Sequence, residues 1–317
     1  MLALGVRCIA LAAEPDPVLR EAKRKIFPNL VEVSAVRDID EDLFHQVFAR
    51  RRFSAILIGS SSSCHDDSFL NLGRQGHADS HGHRLQQLQR IVGLLKRSAR
   101  GVPIFQMFET AATLPAGLMK QCCSLVGSVP IQLDAACWGW THRCRLYWLR
   151  GPSGGYHPQK EYPLPAGFEI KLRDEQHHYH HLVSNGNKVW PNLGRFTGGY
   201  EHAFDPLAVL SGVDVGFFTF TQECCHPTDQ ASNVSAEART RFFHDDKRFP
   251  PLAYEVHSLL WKGDSWRTPT PAERAHLHGM PSTMLDAIPS SSDPRERTAV
   301  LNSAVGNGFH VPPSCLS

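Results

Sequence analysis

The sequence predicts a doubly wound α/β domain with a mostly parallel sheet and a smaller, loop-rich subdomain. Three observations carry that prediction. Short apolar runs alternate with helical stripes from residue 6 to about residue 150, the pattern of strands and helices that build a parallel sheet covered on both faces. At Gly151 the composition changes: residues 151–266 are rich in Gly, Pro, His and aromatic residues, with weak periodicity. Helical patterning then returns over 267–317. The chain therefore divides into 1–150, 151–266 and 267–317, the last segment returning to the first.

The elements follow in order. Val6 to Ala12 is a mostly apolar run, as expected of a strand buried on both faces. Asp16 can cap a helix whose first turn holds Pro17, and Val18, Leu19, Ala22 and Ile26 give that helix its apolar stripe. "NLVEVSAVRDID" supplies a second strand, and Asp40-Glu41-Asp42 opens a helix through Phe44, Val47 and Phe48. "FSAILIG" is a third strand. An amphipathic helix runs from Arg84 to Ser98 with Leu85, Leu88, Ile91, Val92 and Leu95 on one face. "VPIFQMFE" is a strand ending at Glu109, "PAGLMKQCCSLVG" a helix, and "PIQLDAACW" and "RCRLYWLRG" two more strands. In "TPTPAERAHLHG", Pro271 stands near a helix start, Glu273 behind it and Gly279 at its end.

With 317 residues the chain can bury a sizeable core. Its net charge of +2 argues against a disordered chain and against a strongly basic nucleic-acid coat. Nine cysteines, an odd number without a CxxC pair, point to reduced thiols in an intracellular protein rather than to a disulfide framework. Arg7 interrupts the apolar opening "MLALGVRCIALAA", which runs straight into a strand and helix and reads as structure, not as a targeting signal. No apolar run is long enough to span a membrane.

In open parallel sheets, ligands bind beyond the carboxyl ends of the strands. Four predicted strand ends carry reactive or polar residues: Glu14, Asp38, Cys64 and Glu109. A carboxylate accepts two hydrogen bonds and so suits paired ribose hydroxyls, while an Asp after the next strand can accept an exocyclic adenine amine. The pair reads as an adenosine site. Taken singly, an acid after a strand is usually a helix cap, and a lone cysteine a small inert residue. The weight lies in their order along the chain.

That order resembles the cytosine-C5 DNA methyltransferases, most closely the animal de novo enzymes. "ILIGSSSSCHDDS" resembles the family's apolar strand followed by Gly-Gly-Ser-Pro-Cys. "FQMFET" resembles its Phe-Glu-Asn strand, and "THRCRLYW" its Arg-x-Arg-Tyr-Phe-Trp strand. "RTPTPAERAHLHGMP" resembles its Leu-Thr-Pro-x-Glu helix, and "NSAVGNGFHVP" its closing Gly-Asn-x-Val-x-Val-Pro motif. The likeness covers about 6–150 and 255–313.

The resemblance implies a Rossmann-like methyltransferase fold, with 1–150 as catalytic core and 151–266 as target-recognition subdomain. It implies S-adenosyl-L-methionine as cofactor, and as partner double-stranded DNA with a cytosine flipped out of the stack. Cys64 matches the thiolate that adds to cytosine C6. Glu109 matches the acid at N3 and the exocyclic amine, Arg145 the guanidinium on the base carbonyl, and Arg143 its neighbour. Both cations favour thiolate over thiol. Glu14 matches the ribose-binding acid, with Pro15 beside it. Asp38 and Ile39 match the adenine contacts, and Asn307, Gly308 and Phe309 the motif bordering the cofactor pocket. Residues 65–83 match the loop that closes over the base. In "RTRFFHDDKRF" (239–249), Arg239, Arg241 and Lys247 are interleaved with aromatics, a pattern that can track phosphates and support an unstacked base. The competing reading there makes Phe242, Phe243 and Phe249 core. The resemblance also implies a nuclear protein.

The sequence departs from the family in three places. The opening Phe-x-Gly-x-Gly strand and loop, the central strand of the family's sheet, is absent, which reads as an N-terminal truncation. The reading therefore expects weak S-adenosylmethionine binding by this form. Ser63 replaces the proline before the cysteine, and Thr110 follows Glu109 where the family has Asn. Two alternatives stay open beside DNA methylation: an inactive relative that binds DNA or a protein partner, and an enzyme acting on tRNA. "HHYHH" (177–181) with "ECCH" (223–226) offers zinc-type ligands. Adjacent histidines point different ways, and no metal site is assigned.

Overall fold

A computed structural model describes residues 9–14, 16–27, 29–49, 52–61, 78–112, 114–137, 139–157, 160, 168–172, 180–184, 196–202, 217, 220, 234–280, 282–289 and 293–307. Strand β1 (Leu11–Ala13) leads into helix α1 (Pro17–Ile26), then β2 (Val31–Val33), α2 (Glu41–Phe48), β3 (Ile56–Ser61) and α3 (Ala78–Ser98). Next come β4 (Ile104–Ala111), α4 (Ala116–Val126), β5 (Pro130–Asp134) and β6 (Cys144–Gly151). The alternation read from the sequence is therefore present, and its local causes are visible. The Asp16 carboxylate accepts the backbone N–H groups of Val18 (2.8 Å) and Leu19 (3.3 Å) at the start of α1, and Asp40 accepts that of Leu43 (2.8 Å) in α2.

β1 and β2 form a small parallel sheet of their own. With β8 (Phe168–Leu172) and β9 (His180–Ser184), the main sheet among the described residues has seven strands in the order β3-β4-β6-β5-β9-β8, with β7 (Gly154–Gly155) on β6. β8 and β9 come from within 151–266 yet extend this central sheet, β9 running parallel to β5. β3 and β4 are parallel, whereas β6 runs antiparallel to both its neighbours. The nine residues between β5 and β6 are too few for the crossover a parallel pair needs, so the chain turns back.

Side chains alternate along these strands. Ile58, Phe108, Leu146 and Trp148 point to one face and pack with Leu85, Leu88 and Val92 of α3 and Cys122 and Val126 of α4. α3 reaches a second cluster through Ile91, Leu94 and Leu95, where it meets Phe44 of α2 and Leu11, Ala13 and Val33 of the small sheet. The helix starts at Ala78, before the Arg84 read from the sequence, because its first turns are polar and carry no apolar period.

The second lobe holds β10 (Glu201–His202), β11 (Leu260–Lys262) and β12 (Ser265–Arg267) in an antiparallel sheet, beside α5 (Ala236–His244). Helices α6 (Pro271–Leu277), α7 (Ser282–Asp286) and α8 (Pro294–Asn307) follow; Leu285, Val300, Leu301 and Ala304 pack against α1 through Ala22, Val18 and Ile26. The C-terminal helices thus share an apolar cluster with α1.

A single acid joins lobe and helix. Glu273 accepts two hydrogen bonds from the Arg267 guanidinium (2.7 and 2.8 Å), one from the Thr197 N–H (3.0 Å) and one from the Thr270 N–H (2.8 Å). The Thr270 hydroxyl in turn accepts from the Glu273 N–H, completing a capping box. Burial opposes the charged carboxylate, but these donors prevail and hold its pKa at about 2, below the ordinary 4.5. The stabilisation is thus complete above pH 4.5 and is lost as pH falls towards 2. Glu273→Gln should lower unfolding stability by about 1.5–3 kcal/mol at neutral pH. The gap to the parent should close as pH falls through that window, as read by urea unfolding at stepped pH. A gap that stays constant would mean the carboxylate's charge is not what holds the lobe.

Candidate functional site

The ladder along β4 sets the site. Ser61 lies opposite Glu109, Glu109 opposite Tyr147, and Tyr147 opposite Ile131, so one row of residues crosses β3, β4, β6 and β5. Directly opposed residues share a face of the sheet. Arg145, opposite Ala111 and Leu133, stands one step along the same face. This is the carboxyl end of β3 and β4, where an open parallel sheet presents its ligands.

Glu109 is 3% exposed and Arg145 9%. Their charges meet, Arg145 Nε lying 2.9 Å from Glu109 Oε1. The approach is out of line, however, and Glu109 Oε1 has no aligned hydrogen-bond donor among the described residues. A second Arg145 nitrogen donates to the Cys144 carbonyl (2.9 Å). Burial, and then the Glu109 charge, push the Tyr147 phenol up to about 12, so it stays a neutral donor at physiological pH.

Arg143 is 4% exposed. Its backbone is fixed by Asp134, whose carboxylate accepts the N–H of Arg143 (2.8 Å) and of Ala136 (3.0 Å) and faces His142 Nδ1 at 3.4 Å. Burial opposes the Asp134 carboxylate, but His142 and the two N–H groups outweigh it and hold its pKa below the ordinary range. Sequence reading missed Asp134 and His142 as the clasp on the β5–β6 turn. The available signal was the one used for Glu109, an acid closing an apolar strand.

Glu109, Arg143 and Arg145 are thus brought together. Cys64 follows Ser61 by three residues and lies outside the described residues, as do Pro15, Gly308 and Phe309 and most of 65–83. Asn307 is the last residue of α8. Glu14 and Asp38 follow the paired strands β1 and β2. Glu14 accepts from Lys23 Nζ (2.7 Å) and the Asp16 N–H (3.1 Å); Asp38 accepts the Ala35 N–H (3.0 Å) and keeps a half-exposed side chain. A carboxylate at each of two neighbouring strand ends can accept hydrogen bonds from hydroxyl or amine groups. The Ile39 side chain is buried among Phe44, Leu94 and Leu95, and its carbonyl accepts from Arg90 (2.6 Å).

The basic and aromatic stretch divides. Phe242 and Phe249 are each 1% exposed and belong to the core with Tyr254, whereas Phe243 is 51% exposed. Arg241 turns inward, donating to the Tyr254 carbonyl (2.9 Å) and stacking on Trp261. Arg239 and Phe243, four residues apart on α5, line one shallow depression, and Lys247 Nζ sits 4.9 Å from the Phe243 ring centre. Asp246 and Lys247 both adopt left-handed backbone (φ 50° and 57°), a conformation that costs about 1 kcal/mol or more per residue outside glycine. His177, His178, Cys224, Cys225 and His226 lie outside the described residues, and among those described no group of three potential metal ligands occurs.

Removing one member of the central pair should reveal its burial. Arg145→Ala leaves a buried carboxylate without its counter-charge and should cost about 3–5 kcal/mol of stability. The double variant Arg145→Met with Glu109→Gln should recover most of it, as measured by denaturant unfolding. An Arg145→Ala cost below 1 kcal/mol would show that solvent reaches Glu109 (compare about 0–1 kcal/mol for exposed pairs).

No protein-family model matches the chain, and no curated protein matches it in sequence. Solved structures do. The Dnmt2 methyltransferase of S. pombe covers 99% of this chain and 92% of its own length at 13% identity, with a TM-score of 0.47. The Entamoeba histolytica methyltransferase EhMeth covers 95% of this chain and 85% of its own length at 10% identity, with a TM-score of 0.50. The fold of this chain is a Rossmann-like α/β fold similar to that of the Entamoeba methyltransferase.

Proposed function

We propose that the protein methylates C5 of cytosine in DNA, using S-adenosylmethionine and a covalent cysteine adduct. The observation that carries this reading is the buried, unaligned pair of Glu109 and Arg145 beside the end of β3. A carboxyl oxygen without an aligned donor and a guanidinium held next to it match the polar edge of a pyrimidine, which offers a ring nitrogen, an amine and a carbonyl side by side.

Each residue then has a task. Cys64 follows the strand end that Glu109 borders, and the three intervening steps keep it within about 11 Å of Ser61. Its thiolate adds to C6; the C5–C6 π pair becomes the C4–C5 double bond, and the C4–N3 π pair moves onto N3. Glu109, protonated as the base binds, gives N3 the proton that this addition requires, and its other oxygen accepts a hydrogen bond from the exocyclic amine. Arg145 holds the base carbonyl, and Arg143 adds positive charge that favours the thiolate. C5 thereby becomes nucleophilic. S-adenosylmethionine, when bound, would supply an electrophilic methyl group and leave as its thioether; loss of the C5 proton to a base then restores the C5–C6 double bond and expels the Cys64 thiolate. Glu14 would hold its ribose, and Asp38 with the backbone at Ile39 its adenine.

A duplex carrying 5-fluorocytosine tests the chemistry. With S-adenosylmethionine in large excess, to offset the weak binding expected of this form, the protein should form an adduct that survives denaturing gel electrophoresis, and Cys64→Ala should abolish it. Glu109→Gln should slow its formation by about 100-fold or more, the usual worth of a positioned acid. An adduct that persists in Cys64→Ala would remove that residue from the role.

The same reading assigns duplex contact to the face of α5 that carries Arg239 and Phe243. Replacing Arg239 and Lys247 together with Gln should weaken DNA binding and make the slope of log K against log salt shallower by about 1.8, at about 0.9 per phosphate released. Arg241→Gln should instead destabilise the lobe, because that side chain is packed on Trp261. An unchanged slope in the double variant would place the DNA elsewhere.

A further inference from the structure

The guanidinium of Arg90, in α3, is given over to backbone. Its Nη1 donates to the Ile39 carbonyl (2.6 Å) and its Nη2 to the Val36 carbonyl (2.8 Å). Its Nε donates to Gln87 Oε1 (2.8 Å), three residues back on the same side of the helix. No ion pair to Arg90 occurs among the described residues. Arg97, on the same helix, behaves as an ordinary surface arginine instead: it faces Glu41 of α2 at 3.5 Å, with both side chains exposed.

The two carbonyls bracket Asp38. Val36–Asp38 form one turn of 3-10 helix between β2 and α2, and the chain is extended again at Ile39 (φ −80°, ψ 112°). A planar fork that reaches both ends of so short a turn fixes its bend in one geometry, which a point charge on a flexible stem does not. α3 holds Ile39 a second time through its side chain, 4% exposed in the cluster with Leu94 and Leu95.

The clamp changes what the turn can offer a ligand. The Val36 carbonyl accepts twice, from Arg90 and, at 3.3 Å, from the Ile39 N–H. The shorter bond is the charge-assisted one, so the carbonyl stays satisfied when the Ile39 N–H leaves it for another acceptor. On Asp38, Oδ2 accepts the Ala35 N–H (3.0 Å), while Oδ1 lies 3.8 Å from the exposed Arg37 Nε, beyond hydrogen-bond length. Consecutive residues thus carry an acceptor and a donor. Adenine has the complementary pair, a 6-amino donor beside the N1 acceptor on its Watson–Crick edge.

We propose that Arg90 is a positioning residue that sets selectivity for adenine. By taking the Val36 and Ile39 carbonyls it holds Asp38 and the Ile39 N–H where they read the 6-amino group and N1 together. The inference rests on the proposed use of S-adenosylmethionine.

S-adenosylhomocysteine and its 6-oxo analogue, S-inosylhomocysteine, test it. The analogue carries a donor at N1 and an acceptor at position 6, so it opposes both groups. The Kd of each for the 317-residue protein is read by saturation-transfer NMR, which detects weak binding. The parent should prefer S-adenosylhomocysteine by about tenfold or more, the effect of one hydrogen bond to a charged group. Arg90→Met should cut that preference to about threefold or less, as neutral hydrogen bonding alone allows. Arg90→Lys should fall between the two. The ratio decides, because a general loosening of the fold weakens both ligands alike. If Arg90→Met fails to fold by circular dichroism, Arg90→Lys carries the test. A parent that discriminates, beside folded Arg90 variants that keep its full preference, would overturn the proposal alone. A parent that binds both ligands equally, or neither, would overturn it together with the S-adenosylmethionine reading.

Discussion

Both edges of β4 are hydrogen-bonded, and the register of those two ladders is the constraint on which the site depends. A slip of one residue against β6 would carry Glu109 to the α3 and α4 face and bring Phe108 out in its place. Phe108 is locked from the other side: it packs against Trp148 (ring centres 5.7 Å apart) under α3 and α4. Apolar packing on one face thus fixes polar placement on the other. An acid and an arginine, 36 positions apart in sequence, meet because the core beneath them admits only one register.

Helix starts were legible in the sequence because capping is local. Asp16 with Pro17, and Asp40, each satisfy donors within a few residues and stand where the pattern puts them, as does Pro271 at the start of α6. Strand existence was legible too, through apolar runs at β3, β4, β5 and β6. The direction of β6 was not, since nothing in "RCRLYWLRG" encodes it; the short connection after β5 does. Nor did the weakly periodic stretch after Gly151 reveal that β9 would join β5, because that pairing is made across nearly fifty residues.

The candidate site divides in the same way. Glu109, Arg143 and Arg145 could be named from motif order, but their mutual burial and the out-of-line contact of the pair belong to the fold alone. In the stretch at 239–249 a simple alternation of bases with aromatics concealed two environments. The helical period of α5 turns Phe242 into the core and Phe243 out of it, and carries Arg241 onto Trp261 rather than towards solvent.

The Glu273 junction has a consequence for how the chain is made. Thr197 and Glu273 are separated by 76 positions, and Arg267 enters the same cluster from β12. During synthesis the strands of the central sheet emerge long before this acid does. The second lobe gains its tie only after α6 has left the ribosome, so the lobe closes late, against a loop entropy that its local contacts do not offset. Until then its apolar core, Phe196, Phe217, Phe220 and Leu260 among them, lacks Leu277 as a neighbour and leaves apolar surface open to misassociation.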